Sequence, residues 1–567
     1  EGSYKISNDY LFVCKHIIVQ SRTMSGGAIL KFNWGLTPSD PEQRPVLFVG
    51  QAKHLQGLAW DDVKCKLQPK VTEEVWKRGI KCVTQSPGES VELWPRGASL
   101  SSLPARCSRH AAPARTVALA KIVRTQQRAT DEHIVLVCRK VDVFASCVAI
   151  ARSYPTYCAR SKHPPSLSSG VSVSPSSHTV SVEILLVSEN QSSKYIYLFI
   201  QSMVKISVVS DGDREEESLD PYLLDGVLSP SDLETVRSAA DSVRLAARIT
   251  DTPCNLYDVS VFVEVSCKVA KELNIPEPTI IRGEELRERG LGGIYGVGKA
   301  AVIPPALVVL SYKQPGTQTV AWVGKGIVYD TGGLSIKSRA SMVGMKGDCG
   351  GAAAVLGAFA AAVRARPQVT LHAVLCLAEN AVGPLATRPD DIHTLYSGHT
   401  VEINNTDAEG RLVLSDGVTY ARNDLKADVI VDVATLTGAQ GIATGKYHAA
   451  IVSNCAVLEQ HAVQAGLHSA DLTHPLPFAP ELHFSEFSST VADMKNSVAD
   501  RNNAQSSCAG LFILSHLGFD FPGKWLHVDM AAPAHCGERA TGYGVALLCV
   551  LFGNQTGSPL LKALAPH

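Results

Sequence analysis

The stretch Asn404-Asn405-Thr406-Asp407-Ala408-Glu409-Gly410-Arg411 decides how the rest of the chain is read. It holds two carboxylates and a guanidinium at alternate positions. On an extended backbone, where side chains alternate, Asp407, Glu409 and Arg411 point the same way. Two carboxylates on one side repel unless something positive lies between them, and the candidates are Arg411 and a divalent cation. The apolar run Leu412-Val413-Leu414 follows, which places the stretch where an extended segment meets a packed element.

Upstream, Trp322-Val323-Gly324-Lys325-Gly326-Ile327-Val328-Tyr329-Asp330-Thr331-Gly332-Gly333 leads into Ser335-Ile336-Lys337, and Lys346-Gly347-Asp348-Cys349-Gly350-Gly351 comes soon after. Both mix charge with glycine in apolar surroundings, and glycine lets the backbone approach a ligand closely. Asp330 and Asp348 thus join Asp407 and Glu409. Taken singly, each carboxylate reads better as a cap or a solvated loop residue. Four together can hold two divalent cations, a common apparatus for hydrolysis. Hard carboxylate oxygens suit Zn²⁺, Mn²⁺ or Mg²⁺.

These residues carry a resemblance. The run from Asn404 to Leu412 is similar to the signature of the leucine (cytosol) aminopeptidases, and the upstream Val-Gly-Lys-Gly, Asp-x-Gly-Gly, Ser-Ile-Lys and Asp-x-Gly-Gly-Ala-Ala elements fall at that family's spacings. The variants Tyr329-Asp330-Thr331, Met345-Lys346-Gly347-Asp348-Cys349 and Ile403-Asn404-Asn405 resemble the vertebrate "aminopeptidase-like" branch most closely. The resemblance is strong over residues 230–553 and weak before them. It implies a metal-dependent aminopeptidase that removes an N-terminal residue, an apolar one by preference, using a water activated by two Zn²⁺ or Mn²⁺ ions. Lys325, Asp330, Asp348, Asp407 and Glu409 are the implied metal ligands. Lys325 could ligate only as a neutral amine, which requires a strongly depressed pKa. Lys337 is implied as an electrophile beside the scissile carbonyl and Arg411 as the holder of the attacking water, with a bicarbonate as base. Met345 matches a position lining the first side-chain pocket. The resemblance further implies peptide substrates, a homohexamer and a cytoplasmic location.

Composition sets outer limits. At 567 residues the chain exceeds one ordinary core. Its 53 basic and 54 acidic residues argue against a nucleic-acid or anionic-membrane partner. Fifteen cysteines, with no C-x-x-C pair, read as free thiols in a reducing compartment. No apolar run reaches the length of a membrane span; Tyr195–Val209 is short and contains Lys205.

The expected fold is α/β: a small N-terminal α/β domain, then a catalytic domain with a largely parallel sheet flanked by helices. Residues 1–23, ahead of Met24, read as an extension outside the mature fold, 24–159 as the N-terminal domain, 160–228 as linker or insertion, and 229–567 as the catalytic domain. Val46–Gly50 and Ile134–Cys138 have strand character, and Thr72–Gly79 is helical. Cys65, Cys82 and Cys107 read as buried apolar side chains. Arg160–His178 is rich in Ser and Pro. Ser229-Pro230-Ser231 opens a helix with a serine cap and an early proline, and Pro253 ends it. Thr319–Val323, Thr370–Leu377 and Asp428–Val433 alternate as strands with the helix Gly351–Arg364, the pattern of a parallel sheet. Ligands in such sheets bind beyond the carboxyl ends of strands, and Lys325, Asp330 and Asp407 fall just after such runs.

Two rival classes remain. Gly293-Ile294-Tyr295-Gly296-Val297-Gly298-Lys299-Ala300 nearly matches a phosphate-binding loop, but Ala300 replaces the Ser or Thr that would bind Mg²⁺, and no buried strand precedes it. A catalytically weak or inactive aminopeptidase-like scaffold is the other; the departures at Gly347 and Cys349, beside Asp348, are what favour it. His393 and His399 read as solvated or structural.

Overall fold

The computed structural model describes residues 27–159, 177–187 and 227–567. The 1–23 extension, most of the Ser/Pro-rich 160–178 stretch and residues 188–226 lie outside the described residues.

The N-terminal domain is built on a six-stranded sheet. Its strands are β1 (Ile29–Trp34), β2 (Val46–Gln51), β3 (Ser90–Trp94), β4 (Ala98–Leu103), β5 (Glu132–Cys138) and β6 (Thr179–Leu186), in spatial order β1-β6-β5-β2-β4-β3. All neighbours are parallel except β3 and β4. β6 corrects the reading of 160–228 as linker throughout. It lies between β1 and β5, with Val180, Val182 and Ile184 in the core. Its alternation of apolar and polar residues is a strand signal that the acidic, aperiodic surroundings obscure. Helix α1 (Glu73–Gln85) starts at the Thr72 cap and buries Trp76, Gly79 and Val83. Cys82 points off that face and is exposed, as is Cys107, while Cys65 is half-buried. The expectation that these three are buried is therefore wrong. The buried thiols lie elsewhere, at Cys138, Cys147, Cys349, Cys376, Cys508 and Cys549, and all fourteen described cysteines are free.

Helix α2 (Lys140–Arg152) packs against α3 (Pro230–Asp251) and so joins the two domains. The start of α3 is a reciprocal capping box. Ser229 Oγ accepts from Asp232 N–H at 3.1 Å, and Asp232 accepts from Ser229 N–H at 3.0 Å. Across the joint, Arg152 donates to buried Asp471 at 2.5 Å and to the Thr541 carbonyl at 2.8 Å.

The C-terminal domain holds an eight-stranded sheet. Its strands are β7 (Thr279–Arg282), β8 (Ala306–Tyr312), β9 (Thr319–Asp330), β10 (Thr370–Asn380), β11 (Val429–Ala434), β12 (Ala449–Ser453), β13 (Thr473–Pro475) and β14 (Lys524–Asp529). The spatial order is β13-β12-β14-β11-β9-β10-β8-β7. The centre, β14-β11-β9-β10, is parallel; β7 and β8 at one edge are antiparallel to their neighbours, and at the other β12 runs antiparallel to β14. Helix α4 (Gly350–Arg364) lies between the sheet and α3 and is buried on every side through Val363, so its sequence shows no polar stripe. Helix α5 (Gly410–Asn423) covers the opposite face, with α6 (Gln505–Ser515) beside it, and α7 (Val545–Leu551) packs on α4. No helix among the described residues is long and apolar enough to cross a membrane. The loop-like Gly293–Ala300 run is mostly a short helix, Gly292–Gly298, packed on α5 rather than a phosphate-binding loop.

Candidate metal and catalytic centre

β9 is longer than its apolar run suggests. Lys325 lies within the strand and Asp330 is its last residue, so neither falls after the strand as the sequence reading had it. Lys325 is 2% exposed. Its amine reaches under the start of α5, where a Cβ on Gly410 would stand 2.6 Å from Lys325 Cε and 2.7 Å from Nζ. A side chain at position 410 would require the end of Lys325 to move.

The extended reading of Asp407 to Arg411 also fails. Thr406 and Asp407 form a turn, and Glu409 already has helical angles, φ −81° and ψ −33°, as the cap residue of α5. Asp407 and Glu409 still converge with Asp330: one carboxylate oxygen from each lies within 4.8 Å of the others. Arg411 departs from them. It makes no ion pair among the described residues; its guanidinium sits 5.9 Å from the ring centres of Phe487 and Phe512. Its Nε and Nη1 are buried without hydrogen-bond partners, and burial pulls its pKa down to about 10.

Two lysines bridge the carboxylates. Lys325 Nζ lies 2.8 Å from Asp348 Oδ2 and 2.9 Å from Glu409 Oε1, and donates to the Thr435 carbonyl at 3.0 Å. Lys337 Nζ lies 2.8 Å from Asp330 Oδ2 and 2.5 Å from Asp407 Oδ1. Burial opposes charge on both lysines, but the carboxylates outweigh it and raise both pKa values. For Lys325 this is opposite to the depression that ligation as a neutral amine requires. Burial likewise raises Asp348, Asp407 and Glu409, with the neighbouring ammonium groups pulling them back. Four carboxylates against two ammonium groups leave an excess of negative charge in a largely buried site. That is a donor set for divalent cations: hard oxygens, converging and held.

Neutral side chains that the sequence reading passed over set this geometry. Asn380, at the end of β10, donates to Asp330 Oδ1 at 2.8 Å. Thr435 Oγ1 donates to Asp348 Oδ1 at 2.8 Å. Asn496, fully buried, accepts from the Asn404 and Asn405 N–H groups and donates to the Asn405 and Ala408 carbonyls, which fixes the loop ahead of Glu409. Asn496 in Asp493-Met494-Lys495-Asn496-Ser497 gives no signal in the sequence, because a lone Asn between ordinary residues looks like any turn.

The remaining sequence candidates divide. Met345 is half-buried at the head of the short turn Met345–Cys349 that carries Asp348. His393 is packed beneath Gly296 and meets Thr387 Oγ1 at 3.1 Å, a structural role. His399 is solvated beside Asp493.

Comparison with known proteins places the chain in a family. The model of the cytosol aminopeptidase family catalytic domain matches residues 244–549, a span that includes all eight site residues proposed from sequence, and that of the M17 aminopeptidase N-terminal domain 2 matches residues 44–163. The chain belongs to the M17 cytosol aminopeptidase family. It is a metalloaminopeptidase. Among M17 relatives, a human protein named "Probable aminopeptidase NPEPL1" is 54% identical over 539 residues, 95% of each chain. Leucine aminopeptidase 1 of Caenorhabditis elegans is 47% identical over 370 residues, 65% of this chain and 75% of its own. The solved structure of the Caenorhabditis elegans leucine aminopeptidase superposes with a TM-score of 0.80 at 36% identity, covering 94% of this chain and all of the other. A leucyl aminopeptidase of Trypanosoma brucei, in complex with actinonin, gives 0.75 at 33% identity, with 96% and 99% covered. The M17 fold thus agrees with the α/β two-domain expectation.

Proposed function

We propose that this M17 enzyme removes an apolar N-terminal residue from peptides through a water activated by two divalent metal ions. The observation that carries the reading is the convergence of Asp330, Asp407 and Glu409, with Asp348 and Lys325 adjoining. Asp330, Asp348, Asp407, Glu409 and Lys325, the last after giving up its proton, would hold two ions, Zn²⁺ or Mn²⁺. Bound there, such ions lower the pKa of a water towards neutrality and polarise a carbonyl.

The chain's own groups have distinct tasks. Lys337, on a loop and 14% exposed at its side chain, can turn from Asp330 and Asp407 to donate to the substrate carbonyl oxygen as charge develops on it. Arg411 keeps two unpartnered buried donors, which suit a small anion such as bicarbonate acting as proton carrier. Met345 supplies an apolar wall for the first side chain. The presence of every charged group together favours activity over the inactive-scaffold reading.

A homohexamer and a cytoplasmic location belong to the same proposal. The exposed apolar side chains Ile336, Val343 and Leu385, on segments beside the site, support association. The free cysteines support a reducing compartment.

The test is chelation followed by metal replacement, with hydrolysis of an aminoacyl substrate as readout. Loss of activity on verified metal removal, and its return with Zn²⁺ or Mn²⁺, is expected. Activity unchanged without metal overturns the reading.

A further inference from the structure

We infer that Asn380 is a positioning residue for the metal centre: its carboxamide sets the distance between the two chain segments that carry Asp330 and Asp407. The inference rests on the metal-dependent reading above.

The backbone brings Asn380 to this place by an irregularity. Ala378 pairs with Ile327 across β10 and β9, but Asn380 pairs with Asp330. β9 therefore carries one extra residue at its end. Such a bulge turns side chains to a new direction, and here it puts Asn380 beside Asp330. The Asn380 carbonyl accepts from Thr331 N–H at 3.1 Å and from Thr331 Oγ1 at 2.7 Å, so the chain is pinned just after the bulge.

The side chain then makes two bonds with one nitrogen. Asn380 Nδ2 donates to Asp330 Oδ1 at 2.8 Å and to the Thr406 carbonyl at 3.1 Å. A carboxylate and a carbonyl only accept, so the amide orientation is decided: the NH₂ group must face them. Asn380 is 5% exposed, and water cannot readily replace it. Asp330 Oδ1 also accepts from Gly332 N–H at 2.9 Å. That oxygen is satisfied twice over, which leaves Oδ2 turned to the cationic side, where Lys337 now sits. The Thr406 carbonyl is one residue ahead of Asp407. Asn380 thus acts with the Gly332 N–H to decide which oxygen of Asp330 is offered, and it ties that oxygen to the Asp407 loop. It adds no charge, so it orients the ligand without competing for the cation.

Partners of this kind behind a metal ligand are worth roughly ten- to a hundredfold in metal affinity. The test is titration of the chelator-treated full chain with Zn²⁺ against a competing chromophoric chelator. Wild type, Asn380→Ala and Asn454→Ala are compared, with the fold of each checked by thermal melting. Asn454 is the control: it too makes two side-chain bonds at a strand end, to Gly523 O and Trp525 N, but away from the site.

Asn380→Ala is expected to weaken Zn²⁺ binding by about ten- to a hundredfold, and Asn454→Ala to leave it unchanged. If Asn380→Ala does not fold, Asn380→Leu, which keeps the volume and removes the donor, is titrated instead. Equal affinity in wild type and the Asn380 variant overturns the proposal, as does an equal loss in Asn454→Ala. Failure of both Asn380 variants to fold, with Asn454→Ala folded, overturns it in favour of a purely structural role. A wild type that binds no Zn²⁺ would instead sink the metal reading itself.

Discussion

Lys325 Nζ lies 2.9 Å from Glu409 Oε1, and the contact exists because position 410 has no side chain. A Cβ on Gly410 would press on the lysine amine from above, and that amine is buried beneath the first turn of α5 with Asp348 on its other side. Gly410→Ala should therefore push Lys325 off both carboxylates. Overpacking of this kind costs about 1–3 kcal/mol, and metal content should fall with it. Urea denaturation with metal analysis checks this; a variant of wild-type stability and metal content would mean that Lys325 has room to spare.

A second glycine explains a departure from the family pattern. Gly347, beside Asp348, faces the imidazole of His535, whose Cε1 and Nε2 would both stand 2.4 Å from a Cβ there. The ring fills the space of the missing side chain, so the pair substitutes for a larger residue. Gly347→Ala should cost roughly 1–3 kcal/mol through overpacking. His535→Ala in the same chain should recover much of it, because the two positions touch and their effects cannot add. A double-mutant cycle in urea reads the coupling, and simple additivity would show that the ring moves aside freely. Cys349, the other departure, is buried, and burial raises its thiol pKa to about 12, so it is no nucleophile.

Acid should destabilise the metal-free chain through histidines held neutral. Burial lowers the pKa of His516 to about 3, and of His372 and His393 to about 4 each. Folded values below the ordinary 6.5 mean that the unfolded chain binds more protons in acid. The stability they contribute is full above pH 6.5 and drains as pH falls towards their folded values. For His516, 2% exposed, the loss between pH 6.5 and 4 is about 3 kcal/mol. Urea midpoints at both pH values, in wild type and His516→Gln, should show a shallower pH dependence in the variant. Equal slopes would mean that His516 protonates as readily folded as unfolded.

What the sequence discloses here is charge in unlikely surroundings. Lys325, Asp330, Asp348 and Glu409 stand out because ionic groups among glycines and aliphatics need a reason, and all four are buried. The strand and helix cores around them follow from apolar runs. The alternation of Asp407, Glu409 and Arg411 misleads because a turn followed by a helix start can bring alternate residues to one site only in part. It keeps Asp407 and Glu409 near Asp330 and sends Arg411 to Phe487 and Phe512. β6 is missed although its own residues alternate, because aperiodic and acidic stretches surround it and its partners β1 and β5 lie far away in sequence. Asn380, Thr435 and Asn496 are missed for a related reason: neutral polar side chains acquire meaning only from the groups that the fold brings to them.

Binding and chemistry should separate at Glu409 and Lys337. Glu409 is 3% exposed, lies at the Lys325 pair and shares the three-carboxylate cluster, so it faces both halves of the site. Glu409→Ala removes that shared charge and should lower metal occupancy as well as rate. Lys337 belongs to a loop and pairs with Asp330 and Asp407 from outside the cluster. Lys337→Ala takes away a cation that competes with the metals and leaves every carboxylate in place. Metal content should hold. The loss should fall on kcat, since a donor engaged chiefly in the transition state acts there. By the scale of a single oxyanion donor, it should be on the order of a hundredfold or more. Metal analysis per chain and steady-state kinetics on both variants check the assignment. If Lys337→Ala loses metal while Glu409→Ala keeps it, the two roles are reversed, and the ammonium of Lys337 organises the carboxylates rather than the substrate.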